Sequence, residues 1–282
     1  MTAHEGSWQL PISEGELSRL TRDLDEAHRE ALPVMHASAA ELVEELRDAP
    51  RTQLGDQPRS ILTASASRRR FLAGTGGTAA ALALAACSSS TNKTALANGT
   101  GAAPYSSASS SSGSKYTGDL KVVALATALE NQAVAAYTAA LHAAAAGKLG
   151  AVAPAVATFV MTAMAQHVDH AKAWNAVLTG AGVPAITDVP LSNQAQVTQA
   201  LGAATSVGAV AGLALELEDQ AAQTYLFATY NVTSAGGIAT AASIAPVEAM
   251  HAAILNFVLG KYPVPDDFLP VDKAASPTLL TV

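Results

Sequence analysis

Downstream of Cys87 the chain holds only four glutamates, Glu130, Glu216, Glu218 and Glu248, and four histidines, His142, His167, His170 and His251. Six of these eight fall on apolar seams of helical spacing. Glu130 lies in the series Val123, Thr127, Glu130, Val134, Tyr137, and Glu218 in Ala211, Leu215, Glu218, Ala222, Tyr225. His167 and His170 lie in Ala163, His167, His170, Trp174, and Glu248 and His251 in Ile244, Glu248, His251, Leu255. Alternating steps of four and three keep each series on one helix face, so the six polar groups point into a core. An isolated buried carboxylate costs on the order of several kcal/mol or takes up a proton. Acidic and imidazole groups converging from four helices therefore call for a compensating cation. Mixed carboxylate and imidazole donors suit Fe, Mn or Zn, and six of them can hold two ions with carboxylates bridging.

The elements that must position these groups are legible from punctuation. The segment from about residue 119 is rich in Ala, Val and Leu, and Gly/Pro clusters break it near 147–154, 180–190, 236–237 and 260–265. Four helices are expected, at roughly 119–147, 153–180, 204–231 and 238–260. The connection between the second and third is long enough to hold a short helix and to cross the end of a bundle. Pro246 either opens the working part of the fourth helix or kinks it. The helices also repeat. "ALENQAVAAY" from Ala128 matches "ELEDQAAQTY" from Glu216, and "HVDHAKAWNAVL" from His167 matches "EAMHAAILNFVL" from Glu248. A duplicated hairpin with approximate two-fold symmetry follows. Tyr137 and Tyr225, seven residues after Glu130 and Glu218, can either hydrogen-bond to ligands or fill the core. Trp174 reads as core, His142 as a surface or capping group, and Glu216 and Asp219 as outward-facing. Gln166 and Asp169 flank the histidine pair and point elsewhere on a regular helix, unless a local bulge brings either in.

One Glu from each of two helices plus Glu-x-x-His from each of the other two resembles the ligand pattern of ferritin-like di-iron and di-manganese bundles. Glu130 and Glu218 match the single glutamates, Glu248 with His251 matches one Glu-x-x-His, and His167 with His170 stands at the other. The resemblance covers residues 119–262 and implies an all-α, ferritin-like four-helix bundle with a long crossover between helices 2 and 3. It implies a centre of two Fe ions, or alternatively Mn or Zn, and oxidase, ferroxidase or peroxide-consuming activity with oxygen or peroxide as the small oxidant. His167 is the departure: a neutral ligand replaces a carboxylate and leaves three Glu and three His.

Upstream, "SRRRFLAGTGGTAAALALAAC" at residues 67–87 joins a basic start to a short, weakly apolar run. From Leu72 to Ala86 the run is shorter than the roughly 20 residues a bilayer span needs. The stretch resembles a bacterial twin-arginine signal, carried by Arg68 and Arg69, fused to a lipoprotein box whose Cys87 takes the lipid. That resemblance implies the twin-arginine translocation machinery as a partner and a lipoprotein anchored at the cell membrane, facing outside the cytoplasm. As the single cysteine, Cys87 excludes a disulfide framework. Residues 88–118, rich in Ser, Gly and Ala, read as a flexible tether, and 263–282 as a C-terminal tail. Residues 1–66 carry much of the chain's charge and read as one or two amphipathic helices with a solvated face and no site. They are either a leader lost on cleavage, or translation begins further in, for instance at Met35. His4, His28 and His36 show no ligand spacing.

A formal net charge of −7, with no phosphate-cradling glycine loop and no basic patch, argues against nucleic acid as a partner. Two functions stand: a di-metal redox enzyme, or a non-catalytic envelope or stress-protection protein with a structural or vestigial metal site. A tethered domain favours a monomer or dimer over a closed cage.

Overall fold

The computed structural model describes residues 8–48, 115–264 and 270–282. The export motif with Arg68, Arg69 and Cys87, and most of the expected tether, lie outside the described residues, which all fall in one compact unit. Among them are six α-helices and no strand: α1 (Glu14–Asp48), α2 (Asp119–Ala145), α3 (Pro154–Gly180), α4 (Gln194–Ala203), α5 (Val207–Asn231) and α6 (Ala235–Val258).

Local chemistry sets the boundaries. α2 runs out at Gly147, whose φ of 71° is open to glycine at little cost. α3 opens on Pro154, where a missing N–H is harmless. The Ser206 hydroxyl caps α5 by accepting from the Ala209 N–H at 3.2 Å. The pair Gly236–Gly237, expected to interrupt the chain, instead lies inside α6, which continues through Pro246. The reason is packing: a Cβ on Gly236 would sit 2.4 Å from the Leu42 backbone nitrogen and 2.6 Å from the Ser38 carbonyl oxygen. Glycine is there to admit another helix.

α2 packs on α3 and α5 on α6 as two antiparallel hairpins, and α2 also meets α5. Both segments that follow a hairpin fold back onto it from matching positions. After α3, the Asn131 amide donates to the carbonyls of Ile186 (3.0 Å) and Asp188 (2.8 Å), and Asn175 brackets Ile186. After α6, Asp219, which aligns with Asn131, pairs with Lys273 at 2.9 Å. α4 lies in the crossover between the hairpins. α6 is long and apolar enough to cross a membrane, but its Glu248 and His251 are buried in the bundle.

The backbones of α3 and α6 stay apart, meeting only through side chains; α1 packs against both. The solvated, site-free helix expected in this region is instead a wall of the bundle. Leu17, Thr21, Leu24, His28, Met35, Ser38 and Leu42 form a buried seam in steps close to four and three, the pattern of a helix laid against helices. A capping box starts it: the Ser13 hydroxyl accepts from the Glu16 N–H, and Glu16 accepts from the Ser13 N–H, both at 3.1 Å. Its two ends are fixed alike. Glu14 accepts from the Ala155 N–H (3.4 Å) at the start of α3, and Glu45 from the Gly236 N–H (3.2 Å) at the start of α6. Ala155 and Gly236 are equivalent in the repeat, so α1 spans the two hairpins symmetrically.

Candidate metal centre

The six seam residues come from α2, α3, α5 and α6 and meet at one depth, none more than 1% exposed. They form two overlapping groups, Glu130–His167–His170–Glu248 and His167–Glu218–Glu248–His251, in each of which the donor atoms lie within 4.8 Å of one another. His167 and Glu248 belong to both. The His167 ring lies between the single glutamates, Nδ1 2.7 Å from Glu130 Oε2 and Nε2 3.1 Å from Glu218 Oε1. Glu248 faces all three imidazoles. Its Oε1 is 2.8 Å from His170 Nδ1, and its Oε2 is 3.4 Å from His251 Nδ1 and 3.7 Å from His167 Nδ1.

Burial alone would raise the carboxyls and lower the imidazoles; their mutual charges reverse both tendencies. The His170 and His167 imidazoles hold Glu130 down at about 2, and His167 with His251 holds Glu218 well below the carboxylate range. Glu130 and Glu248 push His170 up to about 9, Glu248 and Glu218 push His167 well above its ordinary value, and Glu218 raises His251. Without metal, Glu130 and Glu218 are therefore held ionised beside protonated imidazoles.

The geometry fits metal donors better than it fits mutual hydrogen bonding. Both ring nitrogens of His170 and both oxygens of Glu248 are buried without a hydrogen-bond partner, although one nitrogen and one oxygen come within 2.8 Å. They approach off the hydrogen-bond axis, aimed at shared space. A divalent cation there satisfies His170 Nδ1 and the Glu248 oxygens, leaving His170 Nε2 on the outer side, and neutral imidazole plus carboxylate is a donor set for Fe, Mn or Zn.

Around the six lies a set of supporting contacts. The Tyr137 hydroxyl donates to Glu218 and the Tyr225 hydroxyl to Glu130, each reaching the glutamate of the other hairpin. Burial and the neighbouring carboxylate hold both phenols protonated, far above their usual range. Trp174, read as core, donates its indole N–H to the Tyr225 oxygen at 2.9 Å. Gln166 is buried on a regular helix and needs no bulge: its Oε1 lies 2.8 Å from His251 Nε2. The signal was its place three residues after Ala163 and four before His170. Asp169 turns outward to Lys172, and His142 and Glu216 are exposed. His28 was expected to have no role, since it shows no ligand spacing with His4 or His36. It is buried on α1, its ring centre 5.2 Å from that of His170, and burial with the charge of His170 pushes it down to about 4.

The profile of a family described as "Ferritin-like domain" matches residues 118–261, just over half of the chain. The chain belongs to the ferritin-like domain family. No curated protein and no solved structure matches it. The ferritin-like match takes in α2 to α6 and ends before α1 on the N-terminal side, so the fifth wall of the bundle is an addition to the matched domain.

Proposed function

We propose that this ferritin-like protein holds two redox-active ions, iron in the first instance, and uses them to consume dioxygen or peroxide. The observation that carries this reading is the pair of overlapping four-residue donor groups joined through His167 and Glu248. When bound, two ferrous ions supply one electron each, enough with two protons to take hydrogen peroxide to two waters. The chain's own part is to orient and to exclude water. Glu130 with His170 and Glu218 with His251 serve one position each, while Tyr225 and Tyr137 keep a proton on the outer side of each glutamate and fix its rotamer. Three imidazoles against three carboxylates leave two divalent ions with an excess positive charge, an electrostatic bias toward anionic oxygen species.

The motif at residues 67–87 supports export by the twin-arginine route and anchoring through lipid on Cys87, outside the cytoplasm, as a monomer or dimer. On this reading cleavage ahead of Cys87 divides the chain between α1 and α2. Mass spectrometry of the membrane-bound protein tests it: a chain that begins at a lipid-modified Cys87 is expected.

The redox reading is tested by loading metal-free protein with ferrous iron and following oxygen and peroxide electrochemically. Close to two irons per chain and peroxide loss above that of free iron are expected. One observation favours a second reading, a non-catalytic protein whose cluster pairs with itself: His167 already bonds both Glu130 and Glu218. Protein that takes up no iron, manganese or zinc and melts unchanged in their presence would support that reading and sink the first.

A further inference from the structure

The repeat that relates the two hairpins breaks at two points of the metal centre: His167 stands opposite Glu248, and the residue just before each of them differs as well. With the second helices of the two hairpins aligned, His170 stands opposite His251 and Val247 opposite Gln166. His251 turns Nδ1 toward Glu218 (3.2 Å) and Glu248 (3.4 Å), and its outer nitrogen, Nε2, is held by Gln166. His170 likewise turns Nδ1 toward Glu248 (2.8 Å) and Glu130 (3.6 Å). Val247 offers it no acceptor, and its Nε2 is buried without a partner among the described residues. Here α1 brings in His28, 3% exposed, its ring packed at 60° to that of His170 and its own Nε2 also buried without a partner. Two unmet ring nitrogens, on imidazoles packed against each other in the core, each carry a desolvation cost unless something bridges them. A histidine that binds metal through one nitrogen is held in tautomer and orientation by an acceptor on the other.

We propose that His28 is a positioning residue of the metal centre: its Nε2 accepts the outer N–H of His170 through one water, the role that Gln166 fills directly for His251. With an ion bound, this leaves His170 Nδ1 bare to serve as its donor. The inference rests on the metal reading above. It also makes a residue N-terminal to the export motif part of the centre, so α1 has a task besides covering the groove.

The test uses the full chain with His28→Phe, which keeps a ring of similar size without an acceptor, and His28→Gln, which keeps an acceptor. Affinity for Co(II) is measured by chelator competition. His28→Phe is expected to weaken one of the two positions by about 10- to 100-fold, and His28→Gln to stay within about threefold of the parent. Nitrogen NMR of the parent loaded with Zn(II) is expected to show His170 protonated at Nε2, a readout that needs no variant to fold. Parent-like binding by His28→Phe, equal weakening by both variants, or a His170 protonated at Nδ1 overturns the proposal while leaving the metal reading intact. Parent protein that binds no ion overturns both.

Discussion

The two halves of the centre are related by a sequence repeat and differ in detail. In the half built on Glu130 and His170, Tyr225 is backed by Trp174, the two rings stacked 9° from parallel, and the space between them and the neighbouring helices is about 10 Å³. In the half built on Glu218 and His251, Tyr137 has no indole behind it. It borders an apolar cavity of about 50 Å³ lined by alanines, valines, Phe159 and Leu255. Behind the histidine stands the His28 ring in one half and the Gln166 amide in the other. The repeat keeps Glu130 with Glu218 and His170 with His251 but pairs His167 with Glu248, and those two are shared by both donor groups; the residues behind the matched pairs diverge, so the two positions should differ in affinity and access.

The harshest way to probe that contrast is to remove ligands by half. Glu248→Gln or His167→Ala touches both donor groups and is expected to cost both ions. Glu130→Gln or His170→Ala should empty one position, Glu218→Gln or His251→Ala the other. Metal analysis by mass spectrometry reads the counts directly: none for the shared residues and one per chain for the rest. Two ions retained after His251→Ala would mean that the groups are not separate positions.

A smaller effect separates the supporting tyrosines. Tyr225→Phe and Tyr137→Phe each remove a hydrogen bond to a ligating glutamate, and each should weaken its own position by about tenfold. Trp174→Phe should weaken the Glu130 position by less and leave the Glu218 position unchanged, since nothing equivalent to the indole backs Tyr137. Stepwise Co(II) titration followed optically resolves the two positions; equal losses at both after Trp174→Phe would erase the asymmetry.

The four-helix frame was legible because nearly everything in those helices is apolar, so each polar seam residue stood out and glycine and proline marked the breaks. The glycine signal misled once, at Gly236–Gly237, where the residue serves a close helix approach rather than a turn. Gln166 was missed because a seam drawn as a single line through Ala163 and His167 is narrower than a helix face in contact with two neighbours. α1 was missed for a different reason. Its seam has the same stepping as the others, but its exposed face is so charged that the segment reads as solvated, and the groove that receives it exists only after α3 and α6 have been placed.

Acidity probes the metal-free cluster as a whole. Glu130, lowered from 4.5 to about 2, contributes stability that is full above 4.5 and is lost as pH falls toward 2. His170, raised from 6.5 to about 9, contributes stability that is full below 6.5 and is lost as pH rises toward 9. His28 has the opposite sign: lowered from 6.5 to about 4, it favours the fold above 6.5 and loses that contribution as pH falls toward 4. Metal-free protein should therefore melt highest near pH 6.5 and progressively lower up to about 9. Metal needs the imidazoles deprotonated, so the rise in melting temperature on adding Zn(II) should grow over the same interval. A stabilisation by Zn(II) that shrinks from pH 6.5 to 8.5 would contradict the charge assignment.

The gentlest contrast concerns packing. Val123 in α2 and Ala211 in α5 are equivalent in the repeat; Val123 lines the tight side beside Trp174, and Ala211 lines the cavity beside Tyr137. Val123→Ala opens a hole where little space exists and is expected to cost roughly 2 kcal/mol, the sum of lost transfer and a new void. Ala211→Val adds two carbons to existing space. At about 0.8 kcal/mol per buried carbon, less roughly 0.6 kcal/mol for a β-branched residue in a helix, the gain should be near 1 kcal/mol. Opposite signs from the same pair of side chains, read by urea denaturation of metal-free protein, would show that the cavity is real and belongs to one half. A destabilised Ala211→Val would mean that the Tyr137 side is as full as the Tyr225 side and that the halves differ only in their hydrogen bonds.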